Sequence, residues 1–265
     1  MVLFSDNKRK DLGGRKMRTA NPTLNKRTFA NFAYIEDTER MTIQGTVNKT
    51  LIMLFLLIVS AGYTWRLFFS RGYADPSTVT PWMIGGAIGG LIVAIVTVFK
   101  KHWSNITAPL YAILEGLFLG GLSSIMEAQF PGIVIQAVAL TFGTLLVLLF
   151  AYKSRIINVT ENFKLGVVAA TGGIFLVYMI SWILGFFNVQ VPYIHSSGTI
   201  GILFSLFVVV IAALNLVLDF DFIEQGAKQG APKYMEWYGA FGLMVTLVWL
   251  YIEILRLLAK LQSRD

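Results

Sequence analysis

The sequence predicts an all-α integral membrane fold of seven transmembrane helices, on three observations. Of 265 residues, 55% are hydrophobic and only 14% charged, and the mean hydropathy is +0.65, more apolar surface than a soluble fold of this size can hide. Leu165 to Leu218 contains no Lys, Arg, Asp or Glu, which is two bilayer crossings rather than one core helix. Seven segments reach the roughly 20 apolar residues that a helix needs to cross the hydrocarbon core.

The first span is expected over Val47 to Phe69, with Lys49 snorkelling at one end and Trp65 and Arg66 marking the other. The second follows from Pro81 to Phe99, and the third runs from Ala108 to Met126 with Glu115 inside it. Pro131 introduces the fourth, Gly132 to Tyr152. Pro192, His195 and two serines between Asn188 and Gly198 divide the charge-free block into a fifth span, Leu165 to Phe187, and a sixth, Thr199 to Phe220. The seventh is placed over Tyr238 to Leu258. Three regions follow: a polar, basic leader over 1–46, a transmembrane domain over 47–260, and a short tail over 261–265.

Lys and Arg in short loops mark the cytoplasmic side. Nine of the 22 basic residues precede Gly45, and Lys100, Lys101, Lys153, Arg155, Lys164, Lys228 and Lys233 fall on that same side. The expected location is therefore the cell membrane, with the N-terminus in the cytoplasm and the C-terminus outside. Arg256, Lys260 and Arg264 resist this assignment, and a seventh segment that re-enters and returns fits them too. Met1 to Lys16 holds no apolar signal segment, and Met17 offers an alternative start. The net charge of +7 is read as a topology and lipid-surface signal, not as a nucleic-acid footprint.

Ionisable groups inside a bilayer are costly and by default face a cavity or a partner. Glu115 lies well inside the third span, and Asp219 and Asp221 close the sixth on the same side. Asn215 precedes Asp219 by four residues and shares its face, whereas Asp221 points roughly 200° away. Asn215 and Asp219 are thus expected inward, with Asp221 and Glu224 nearer the loop. Carboxylates brought together in a low-dielectric space hold protons more tightly, so such a pair works as a proton-operated latch. Their oxygens also suit a hard cation such as Ca²⁺, making Asp219 and Glu115 transient ligands of a permeating ion rather than a resident metal site. The competing expectation for both aspartates is simple hydration at the water interface.

Small residues spaced by three or four form smooth faces: Gly85, Gly86, Gly89 and Gly90 in the second span, Gly116 and Gly120 in the third, Gly166, Ala170 and Gly173 in the fifth. Helix packing is their expected role. Glu253 and Arg256 read as a structural ion pair, and two isolated histidines, His102 and His195, with no cysteine at all leave no imidazole or thiolate metal site. Catalytic motifs are missing: there is no His-Glu-x-x-His, no Gly-x-Ser-x-Gly and no Walker loop. The last span has no aspartate to complete an intramembrane aspartyl dyad, so no enzymatic activity and no cofactor are expected.

Three motifs carry a resemblance. They are Leu-Val-Leu-Asp219-Phe-Asp221-Phe-Ile-Glu-Gln-Gly-Ala with a final span ending in Leu255-Arg256-Leu-Leu, the stretch Tyr111-Ala-Ile-Leu-Glu115-Gly-Leu-Phe-Leu-Gly120, and a leader with Met17-Arg-Thr-Ala-Asn-Pro and Gln44-Gly-Thr-Val-Asn-Lys49-Thr. With these the chain resembles the Bax inhibitor/YccA-like family, and within it a bacterial branch with a polar leader. The resemblance implies a seventh helix wrapped by the other six and a pH-sensitive Ca²⁺ leak governed by aspartates on the sixth and seventh helices. Asp219 falls at the sixth-helix position. The seventh-helix position falls at or near Thr246, and the second span carries no charge where some members have an arginine, so Glu115 becomes the expected partner of Asp219. The expected function is a pH-sensitive calcium or cation leak channel of the bacterial plasma membrane. The alternative is a non-transporting regulator that binds other membrane proteins, such as a quality-control protease.

Overall fold

Each of the seven apolar stretches is one continuous helix in the computed structural model, which describes residues 40–70, 74–187 and 196–263. The leader up to residue 39, Arg71, the Pro192 and His195 turn, and Arg264 lie outside the described residues. The helices are α1 (Ile43–Phe68), α2 (Pro76–Phe99), α3 (Ser104–Gln129), α4 (Ile133–Lys153), α5 (Glu161–Phe186), α6 (Thr199–Lys228) and α7 (Met235–Gln262). All seven are long and apolar enough to cross a membrane.

Their starts follow local chemistry. Thr42, Asp75 and Thr160 cap α1, α2 and α5 by accepting the amides of Gly45, Ser77 and Phe163. The position before α4 is Gly132, at φ 86°, which has no side chain to cap with. Glu127 reaches back from α3 instead and accepts the amides of Gly132 at 2.6 Å and Val134 at 3.1 Å. Glu127→Ala is therefore expected to cost about 1 kcal/mol, the usual value of a lost cap. Thermal unfolding of the detergent-purified variant checks this.

Five starts lie three to five residues before the sequence expectation: α1 at Ile43 rather than Val47, α2 at Pro76 rather than Pro81, α3 at Ser104 rather than Ala108, α5 at Glu161 rather than Leu165 and α7 at Met235 rather than Tyr238. Pro81 and Pro109 are not helix boundaries, because each lies inside its helix, five residues after the first position. α1, α2, α4 and α5 end within a residue of expectation, α3 and α7 run three and four residues further, and α6 runs on past Phe220 to Lys228, so both aspartates are held on a helix. α7 is a single helix of 28 residues, which removes the re-entrant alternative.

The order of packing is set by α7. It lies against α1, α3, α4 and α6, while α2 rides on α3 and α1, and α5 on α6. In its most apolar stretch 67% of α7 is buried, against 11% for α5, so the last helix is central as expected and α5 is peripheral. Tyr238, Phe241, Met244 and Leu250 of α7 are fully enclosed. Large apolar side chains on the outer faces, among them Phe55, Phe99, Ile135, Val147 and Trp182, meet the lipid bilayer.

Small residues let α1, α2 and α3 approach closely. A methyl group at Gly86 would stand 2.5 Å from the Leu114 carbonyl, and Gly116 and Gly120 lie as tightly against the backbone of α1. The fifth helix differs from expectation, because Gly166 and Gly173 have nothing within 4 Å and only its Ala170 side packs, on the small core of Ile174, Val208 and Ile211.

Candidate functional site: carboxylates within the bundle

The second half of α6 holds four polar groups, Asn215 and Asp219 on one face and Asp221 and Glu224 away from it. Asp221 faces α5, where its carboxylate lies 2.7 Å from the Lys164 ammonium. Lys164 is itself buried and also reaches Glu161 at 3.8 Å. Asp219, about 200° around the helix from Asp221, is fully buried inside the bundle. Asn215 is buried as well, and its amide donates to the Thr171 hydroxyl of α5 and the Ile211 carbonyl, both at 2.8 Å. Glu224, one turn nearer the loop, accepts from the Tyr152 hydroxyl and the Lys228 ammonium.

Hydration at the interface therefore does not describe either aspartate: Asp219 is enclosed and Asp221 is ion-paired. The expected inward placement of Asn215 and Asp219, with Asp221 and Glu224 outside them, matches the geometry.

Glu115 has a different neighbourhood. It is half-buried on α3, and its carboxylate lies beside Gly90 of α2, 3.0 Å from where a Cβ would stand. The Tyr111 hydroxyl, one turn back, faces it. Tyr111 in turn packs edge-on against Phe241 of α7, ring centroids 5.0 Å apart. α3 and α6 both pack on α7, so the last helix lies between the Glu115 and Asp219 helices. Measured along their own helices, Glu115 is about 16 Å from the start of α3 and Asp219 about 14 Å from the end of α6. The two acids thus lie at similar depths from the end of the bundle where α1 begins, on two helices that both pack on α7. Thr246, at the position where the resemblance implies an aspartate, is buried and donates to the Gly242 carbonyl of its own helix at 3.3 Å.

Among the described residues, no group of three or more His, Asp or Glu side chains is placed to hold a metal ion.

Three further polar clusters lie along α7, and the first of them, at Glu236, has no signal in the sequence. At the start of α7, Glu236 is fully buried and pairs with Lys49 of α1; it also accepts the Thr42 amide at 3.0 Å and hydroxyl at 2.9 Å. Lys49 is therefore an ion-pair partner rather than a snorkelling cation. Toward the other end of α7, Glu253 and Arg256 form the expected ion pair, at 3.0 and 3.1 Å, but Glu253 is buried and Tyr178 of α5 joins both. Lys260 is buried too, donating to the Gly201 carbonyl at 3.0 Å and the Ser205 hydroxyl at 2.8 Å. It thus ties the end of α7 to the start of α6. The sequence signal for that contact was the four-residue spacing of Arg256 and Lys260.

Six membrane-crossing helices and a buried seventh, with acids placed among them, define a multi-pass membrane protein. The chain belongs to the Bax inhibitor 1 like family, whose model matches residues 21–263. No curated protein matches the chain.

Proposed function

We propose that this protein is a cation leak channel, passing Ca²⁺, whose gate responds to protonation of Asp219 and Glu115 within the bundle. The observation that carries the reading is the complete burial of Asp219 on a membrane-crossing helix. A carboxylate kept at such a place costs free energy unless it serves a pathway or a partner. A proton gained or lost there changes the charge beside α7, and the packing of α7 against α6 is the element that such a change biases. Asn215 and the Asp221–Lys164 pair hold the same stretch of α6 against α5 and so position Asp219. In this reading the protein catalyses no reaction, uses no cofactor, and sits in a plasma membrane with the start of α1 in the cytoplasm.

The test is Ca²⁺ entry into liposomes holding the purified protein, recorded at pH 6, 7 and 8. The expected result is a flux that changes with pH, and that loses this dependence in Asp219→Asn and Glu115→Gln. No flux above that of empty liposomes at any of these pH values overturns the reading.

A second reading, a non-transporting regulator of other membrane proteins, draws on α5. Its small-residue stripe of Gly166 and Gly173 is open, and the helix packs mainly on α6, with Tyr178 reaching α7. Stoichiometric co-purification of a membrane protein, lost in Gly173→Leu, favours this reading; a lone protein with ion flux favours the first.

A further inference from the structure

α1 and α4 both pack on α3 and α7 but share no packed seam with each other. Between them is a crevice of about 310 Å³ that opens sideways, toward the bilayer. Its floor is Gly120 of α3 with Leu247 and Val248 of α7, and its walls include Ile58 of α1 and Val138 of α4. From this we infer that the crevice is a binding site for one acyl chain of a membrane phospholipid.

Four observations carry the inference. The crevice is continuous with the lipid-facing surface, since Ile58 on its rim is 56% exposed among outward apolar residues. Its hydroxyls are already satisfied: Ser123 and Tyr251 bond each other at 2.6 Å, and Thr141 donates to the Ala137 carbonyl at 2.7 Å. Water and polar ligands therefore find no partner there among these groups, and an apolar occupant loses none. Its length also fits. From Leu54 to Trp65 the lining of α1 rises about 16 Å, about half of the ~30 Å hydrocarbon core and so one leaflet. Finally, the lining ends at Trp65, a residue type that sits at the membrane interface, and Arg66 is exposed beside it at head-group level, where a lipid phosphate is its natural counter-charge.

The crevice lines one leaflet of the membrane rather than its whole thickness, which is the reach of an acyl chain and half that of a partner helix crossing the bilayer.

The experiment uses the full chain in nanodiscs containing a phosphatidylethanolamine with a diazirine midway along one acyl chain. After photolysis, labelled positions are mapped by peptide mass spectrometry. Label is expected on Leu247 and Val248, which are nearly inaccessible from the flat outer surface, as well as on the lipid-facing Ile135 and Val147. Two variants fill the crevice: Gly62→Phe, built where a Cβ meets nothing within 4 Å, and Val138→Trp. Either one is expected to abolish floor labelling while leaving Ile135 and Val147 labelled, the latter confirming an inserted, folded protein. Label confined to Ile135 and Val147 in the unaltered protein overturns the proposal. Floor labelling that survives both filling variants does so too.

Discussion

Gly120→Leu and Gly116→Leu are expected to leave a protein that cannot close α1 onto α3. A Cβ at Gly120 would stand 2.2 Å from the Ala61 carbonyl oxygen and 2.2 Å from the Thr64 hydroxyl. At Gly116 it would stand 1.9 Å from the Ser60 hydroxyl and 2.3 Å from the Leu57 carbonyl oxygen. Two of these neighbours are backbone atoms of a helix, which no rotamer change removes. Ser60 and Thr64 have little freedom either, because their hydroxyls are bonded to carbonyls of their own helix. Overpacking a well-packed core costs about 1–3 kcal/mol where side chains give way; with backbone in the path the upper end, about 3 kcal/mol or more, is expected. Measured against a total stability of about 5–15 kcal/mol, that is a large fraction. Thermal unfolding in detergent, with Gly62→Ala and Gly143→Ala as controls, makes the comparison. Both control positions have nothing within 4 Å, so alanine there is expected to be neutral or to stabilise by up to about 1 kcal/mol through helix propensity. An unchanged Tm for Gly120→Leu would mean that α1 and α3 do not approach as described.

The second large effect is expected at Glu236. Its buried carboxylate takes the Lys49 ammonium, 18% exposed, together with two donors of Thr42. Glu236→Ala strands all of them. Removing one member of a buried ion pair costs about 3–5 kcal/mol, and the partial exposure of Lys49 brings the expectation to the low end, about 3 kcal/mol. Glu236→Gln keeps an acceptor for Thr42 and loses only the charge, so it is expected to cost less. The loss has a location. The segment entering α1 is tied to the α6–α7 connection through Glu236 and through the Met41 amide on the Ala231 carbonyl, so amide exchange over Thr42 to Lys49 is expected to quicken in Glu236→Ala. Lys49→Met added to Glu236→Leu removes both charges and is expected to restore part of the loss. Exchange unchanged across Thr42 to Lys49 in Glu236→Ala would show that the carboxylate does not hold this corner.

What the sequence revealed follows from the physics each feature obeys. The spans were readable because the cost of polar atoms in hydrocarbon writes itself into every helix as a long apolar run. Helix starts are less legible, because the first turns are polar and lie outside the apolar run: α2 and α3 begin five residues before Pro81 and Pro109, α2 at the Asp75 cap. The placement of Asp219 and Asn215 on the enclosed face came from the 100° step per residue, a property of one helix alone. Lys49 and Glu236 could not be joined that way, since 187 residues separate them and only the contact of α1 with α7 brings them together. The same applies to Lys164 with Asp221 and to Tyr178 with Glu253. Glu115 was readable as an acid at depth, but its direction toward Gly90 depends on α2 lying against α3, which no periodicity states.

The central place of α7 also bears on how the molecule is made. Ribosomes add about 5–20 residues each second, so the six earlier helices enter the membrane before the one they surround. α1, α2 and α3 pack on one another and have partners at once. α4 waits longest, since its broadest contact is with a helix not yet synthesised, and α6 carries Asp219 into the bilayer before the bundle is complete. During that interval the broadest packing face of α6 has no partner, and only delivery of the last 28-residue helix covers it.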